Sequence, residues 1–123
     1  MNTSVEYFDN EERTILTKVY KGSVNKDNII EAGNEIINNR LISETHKGII
    51  SDMREATLKY QKGDIKALYD FYSENMDFFK NLKLAFIIDS AEIVYPMLFK
   101  MKHDISNIRY FVTSESAMNW ITS

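Results

Sequence analysis

The sequence predicts an α/β fold: a single domain over residues 1–123 with a mainly parallel five-stranded sheet, a leading antiparallel hairpin strand, and the order β-β-α-β-α-β-α-β-α. Three observations predict it. Short segments of period two alternate with longer ones whose apolar residues recur every three or four positions, the signature of βα units that pair in parallel. The segment "KLAFIID", Lys83 to Asp89, is almost continuously apolar, as a central strand covered on both faces must be. The chain has 123 residues, 44% hydrophobic and 27% charged, enough to bury one core and close to the average for globular proteins.

The opening reads as a hairpin, with "VEYF" from Val5 to Phe8, a polar turn over Asp9 to Glu12, and "TILTKVY" from Thr14 to Tyr20. In the second strand Ile15, Thr17 and Val19 point one way and Leu16, Lys18 and Tyr20 the other, and Gly22-Ser23 ends it. Asn25 is a favourable N-cap for a helix whose inner face carries Ile29, Ile30, Gly33, Ile36, Ile37 and Leu41. Gly33 in mid-helix implies a close approach, here expected to be of helix to strand. "KGIISDM", Lys47 to Met53, is the third strand.

Gly63-Asp64 breaks and caps the chain before one long helix, "IKALYDFYSENMDFFKNL". One stripe on it is Ile65, Leu68, Tyr69, Tyr72, Met76 and Phe79. A second, about 100° around, holds Ala67, Phe71, Phe78 and Leu82, more apolar surface than one sheet contact needs. Pro96 either kinks the helix after Ser90 or lies in the first turn of a shorter one. "NIRYFV" is the last strand, Thr113 or Ser114 caps the last helix, and Ala117, Trp120 and Ile121 point inward, Trp120 as a lid over the sheet end.

Several function classes are excluded at this point. No apolar run exceeds Leu84 to Ile88, far short of the roughly 20 residues that span a bilayer. Met1 to Arg13 show no basic and then apolar segments of a secretory signal, and the expectation is a cytoplasmic protein. Without cysteine there are no disulfides, thiolate metal sites or thiol catalysis. A net charge of −3, with Lys and Arg dispersed, gives no footprint for nucleic acid. Neither a G-x-G-x-x-G nor a P-loop occurs, and His46 and His103 read as surface residues with no metal spacing and no Ser-His-Asp logic. No catalytic, metal or cofactor residue is therefore assigned, and the protein is read as a non-enzyme.

With "YKGSVNKDNIIEA" after the second strand, "GIISDMREA" ending the third, "LAFIIDS" as the fourth and "YFVTSESAMNWI" at the end, the chain resembles the SpoIIAA-like group along nearly its whole length. That group includes the STAS domains, among them anti-sigma-factor antagonists, and the CRAL-TRIO/SEC14 lipid-binding fold. The likeness is to its small stand-alone bacterial members. The resemblance implies successive βα units with helices largely on one side and the other sheet face open. If Leu84, Phe86, Ile88, Ile108, Tyr110 and Val112 face the helices, then Lys83, Ala85, Ile87, Arg109 and Phe111 line the open face. Where STAS regulators resemble one another in an Asp-Ser phosphorylation motif, this chain has Ser51-Asp52-Met53-Arg54, with the serine first and inside the strand. The extra helices that enclose a lipid in the transfer proteins have no counterpart in this length.

Three candidate sites follow. The second stripe, Phe71, Phe78 and Leu82, is a surface for a protein partner or a second copy. The carboxyl ends of the strands gather Asp52, Arg54, Asp89, Ser90, Thr113 and Ser114, where a ligand or a hard cation could sit. The open face around Ile87, Arg109 and Phe111 could hold a small apolar ligand or acyl chain. The functional expectation is a STAS-like regulatory or interaction module that forms a homodimer or binds a protein partner, with small-molecule or lipid binding as the alternative.

Overall fold

The computed structural model describes residues 2–61, 63–89 and 106–123. The elements are β1 (Ser4–Asp9), β2 (Ile15–Val24), α1 (Lys26–Asn38), β3 (Gly48–Leu58), α2 (Asp64–Glu74), α3 (Met76–Phe79), β4 (Lys83–Ile87), β5 (Ile108–Phe111) and α4 (Ser114–Thr122). The helix expected after Ser90, with Pro96, lies outside the described residues, as does His103. The five strands stand in sequence order across one sheet, with β1 antiparallel to β2 and the rest parallel.

Local chemistry fixes most element ends. Asn25 accepts the Asn28 amide at 3.0 Å while the Asn28 side chain accepts the Asn25 amide at 2.9 Å, a reciprocal cap that starts α1. Of the two candidates for the last cap it is Thr113 that accepts the Ser116 amide, at 3.2 Å. The long helix expected over Ile65 to Leu82 is two helices. Asn75 turns its backbone and side-chain N–H groups onto the Phe71 carbonyl, at 3.2 and 2.8 Å, closing α2, and α3 restarts at Met76.

Two strands run further than their sequence breaks suggested. β2 passes through Gly22-Ser23 to Val24, its register shifting between Val19 and Lys21 and Gly22 taking φ +85°, a conformation a side chain would strain. β3 continues to Leu58 because the extended β2 gives Glu55 to Leu58 a partner beyond the end of β4. Asp52 and Arg54 therefore lie within β3 and not at its end.

Cross-strand register sorts the core into rows. On the face covered by α1 and α2, Leu16, Ile49, Leu84 and Ile108 form an apolar row. The next row runs Tyr7, Lys18, Ser51, Phe86 and Tyr110. Gly33 does mark a close approach, but of helix to helix: a Cβ there would lie 2.6 Å from Cζ of Phe71 on α2. The opposite face is not open. α4 packs on β3, β4 and β5, and Ala117 and Ile121 close over Ile15, Ile50, Ala85 and Ile87. Lys83 fastens the end of this helix, its Nζ donating to the carbonyls of Trp120 at 2.9 Å and Ser123 at 3.2 Å, where the helix dipole favours a cation.

Candidate functional site

The first predicted surface is interior. Phe71 and Leu82 are 7% and 5% exposed, and Phe71 sits at the α1–α2 contact with the rings of Tyr72 and Phe79 at 5.7 and 6.0 Å. Phe78 is half-buried edge-on to Phe79. The surplus apolar stripe is thus spent on the neighbouring helix and on the sheet, because consecutive βα units on one face set their helices side by side. The large apolar side chains that remain exposed among the described residues are Phe8, Val112 and Met118.

The predicted open face fails for a similar reason. Ile87 is 1% exposed beneath α4, Phe111 is half-buried against Trp120 at 5.8 Å between centroids, and Arg109 lies over the Trp120 ring at 5.1 Å. Trp120 does act as a lid, but it shuts the face that an acyl chain would have used.

The strand-end set is brought together only in part. Asp52 and Arg54 project from the same face of β3 and pair through two contacts, Nε to Oδ1 at 3.0 Å and a terminal guanidinium nitrogen to Oδ2 at 2.8 Å. Burial alone would raise the Asp52 carboxyl, but the Arg54 hydrogen bonds and charge hold it below its ordinary value. Thr113 is engaged as a cap, its hydroxyl also donating to Ser116 Oγ at 2.9 Å, and Ser114 opens α4. Asp89 is exposed just past β4, and Ser90 is outside the described residues. Among the described residues no three His, Asp or Glu side chains converge as a metal site.

The structure adds an arrangement the sequence reading denied. His46 is buried, its Nε2 at 2.8 Å from Asp9 Oδ1 and its Nδ1 at 3.0 Å from Ser43 Oγ. The end of β1 and the loop before β3 thus meet in a Ser-His-Asp line, invisible in sequence because 37 positions separate Asp9 from His46. The line is a clamp and not a nucleophile. Nδ1 already accepts the backbone N–H of Ser43 at 2.9 Å, so the lone pair a general base would use is engaged, and the ring has no exposed surface. Thr45 extends the clamp by donating to the Arg13 carbonyl at 2.6 Å. Burial pushes the Asp9 carboxyl up, yet hydrogen bonds from His46 and Arg13 bring it below its usual range. Its contribution is present above the unfolded carboxylate value and lost as pH falls through the lower folded one. His46→Ala leaves the Ser43 amide unpaired and Asp9 held by Arg13 alone, and is expected to lower the unfolding free energy by about 1–3 kcal/mol in urea denaturation. An unchanged midpoint would show that the clamp carries no stability.

Two further features lie outside every predicted set. A groove of about 310 Å³ runs between β1 and α1, lined by Thr3, Ser4, Val5, Tyr7, Asn28, Glu31, Ala32 and Glu35. Lys18 is 4% exposed in the polar row under the helices, and burial lowers its ammonium to about 8. The strand pattern put Lys18 on one face with Leu16 and Tyr20. It gave no sign that this is the covered face, since Ile15 is equally buried on the other.

Among the described residues no helix is long and apolar enough to cross a membrane. No protein-family profile and no curated protein matches the chain. Solved structures that share its architecture include the following two. One is an uncharacterised protein of the DUF3478 family with a SpoIIAA-like fold from Shewanella loihica, at 13% identity and TM-score 0.59, covering 97% of this chain and 93% of that one. The other is an anti-sigma factor antagonist from Mycobacterium paratuberculosis, at 8% identity and TM-score 0.63, covering 99% of this chain and 96% of that one. At these identities the likeness is one of architecture, and it agrees with the strand order and helix placement above: the chain has a SpoIIAA-like, STAS-like fold.

Proposed function

We propose that the protein is a non-enzymatic regulatory module of the cytoplasm that acts by binding protein, with a second copy of itself as its first partner. The observation that carries this reading is the end-to-end likeness to an anti-sigma factor antagonist, a protein whose described role is directed at another protein. The engagement of Ser43, His46 and Asp9 in a closed clamp supports a role without chemistry.

The surface that suits self-association is not the α2 stripe but the outer side of β1. Phe8 is 53% exposed there, on the same sheet face as α4, which packs on β3, β4 and β5 and presents Met118 at 44% exposure. The ion pairs Lys21–Glu6 at 3.0 Å and Arg54–Asp52 at 2.8 Å put both signs of charge on β2, β1 and β3. A two-fold dimer can use such a surface, since each copy presents the cations its partner's carboxylates need. Light scattering behind size exclusion is expected to give a dimer that Phe8→Glu weakens by about thirtyfold or more, as for a central aromatic anchor, with circular dichroism unchanged. A strictly monomeric wild type that retains no protein in pull-downs would sink the reading.

A further inference from the structure

β1 is an edge strand whose outer side has no partner strand among the described residues. The Asn10 amide donates to the Ile15 carbonyl at 3.3 Å, which sets the phase of the antiparallel ladder with β2. Residues in such a ladder alternate, so Ser4, Glu6 and Phe8 turn their backbone groups to β2, while Val5 and Tyr7 turn theirs outward. Edges of this kind are ordinarily blunted by proline, lysine or a bulge, and Ser4–Asp9 has none of the three.

The groove between β1 and α1 lies along this strand. The side chains of Val5 and Tyr7 stand on its strand wall, and Glu31 and Glu35 on its helix wall, with no lysine or arginine in its lining. Burial first, and the Glu35 charge second, raise the Tyr7 phenol, so the field of the helix wall reaches the strand wall. Both glutamates are exposed; Glu35 accepts the Asn39 side-chain amide at 2.7 Å, and among the described residues neither has an ion pair. An acidic wall beside a free backbone edge suits an extended chain with basic side chains on one face. Spacing agrees: residues four apart on a helix are about 6 Å apart along its axis, and alternate residues of a strand about 6.7 Å. A second copy of this chain fits poorly. Two-fold pairing of β1 with β1 puts both α1 helices on one side of the joined sheet, where Glu31 and Glu35 meet their own equivalents.

We propose that the β1 edge accepts an added strand from a partner protein, an extended segment whose alternate lysine or arginine residues reach Glu31 and Glu35 across the groove. This rests on the reading of the protein as a protein-binding module and not on self-association. Phe8 points to the other face of β1, so a monomeric wild type leaves this site untouched, and failure here leaves the dimer at Phe8 standing.

The probe is a short fluorescein-labelled peptide of alternating lysine and threonine, titrated against the full chain at low salt by fluorescence anisotropy. Its counterpart with glutamate for lysine is the charge control. The lysine peptide is expected to bind and the glutamate peptide not to. Glu31→Lys with Glu35→Lys, both at exposed positions, is expected to fold, to lower affinity for the lysine peptide about tenfold or more, and to gain affinity for the glutamate peptide. Charge alone would give that pattern, so N-methylation of the peptide separates a strand from a counter-ion. In an antiparallel added strand the lysines bond the backbone of Val5 and Tyr7; in a parallel one the threonines between them do. Methylating one residue type should therefore abolish binding and methylating the other should spare it. A second readout needs no variant. Amide hydrogen exchange at Val5 and Tyr7 should slow about tenfold or more under saturating lysine peptide, while Glu6 and Phe8, already bonded to β2, change less. No binding of the lysine peptide, affinity unaltered in the double variant, binding spared by both methylations, or unchanged exchange at Val5 and Tyr7 overturns the site.

Discussion

Phe71→Glu is expected to abolish the folded state, while Phe78→Glu leaves a folded protein of reduced stability. The two rings lie on the same helical stripe in the sequence, and the structure separates them. Phe71 is 7% exposed and reaches across to α1, so close to Gly33 that a Cβ there would sit 2.6 and 2.7 Å from two of its ring atoms. Truncating such a ring costs about 3–5 kcal/mol. Placing a carboxylate there with no cation to meet it adds several more. Against a total of about 5–15 kcal/mol for a domain of this kind, the sum removes the native state. Phe78 keeps part of its surface in water and touches Phe79 edge-on, so its glutamate can turn outward. Circular dichroism with urea titration separates the two. A Phe71→Glu protein with a native spectrum and a cooperative transition would mean that α1 and α2 are not in contact.

The same stripe shows how far the sequence carries. Apolar spacing of three and four located α1, α2 and α4, and period-two spacing located the strands, because burial of one side is a local pattern. What covers each side is not local. The apolar faces of β4 look alike from either direction, and Ala117 and Ile121 would suit either one, so nothing in the chain announced that α4 closes over Ile87 and Phe111 while α1 and α2 take the other face. The strand-end set was misjudged because Gly22-Ser23 reads as a stop when a bulge and a positive φ let β2 run on, and the longer β2 carries β3 with it. His46 was missed on its separation from Asp9, and the burial of Lys18 cannot be read without knowing that helices cover its side of the sheet. Gly33 was the better signal, and the structure gives Gly48 the same meaning: each marks a place where another part of the fold comes too near for a side chain.

Gly48→Ala tests that reading where the approach is tightest. Gly48 opens β3 between Ile15 of β2 and Lys83 of β4, with α4 overhead. A Cβ on it would lie 2.6 Å from the Lys83 carbonyl oxygen and 2.8 and 2.9 Å from two carbons of Ile121. At Gly33 the obstacle is the end of a side chain, which can tilt; here the nearest atom is backbone in the adjacent strand, so relief means parting β3 from β4. Alanine gains about 0.5–1 kcal/mol over glycine in backbone entropy, and overpacking of this kind costs about 1–3 kcal/mol or more, so the clash wins. The expected loss is about 2 kcal/mol, or roughly 8 °C at about 4 °C per kcal/mol for a chain of this length. Adding Ile121→Val should return only part of that loss, because it relieves the contact from α4 and leaves the Lys83 carbonyl in place. Full recovery in the double variant would move the constraint from the strand to the helix. A loss below about 1 kcal/mol in Gly48→Ala would mean that β3, β4 and α4 part at little cost, and that the face beneath α4 opens far more readily than its packing indicates.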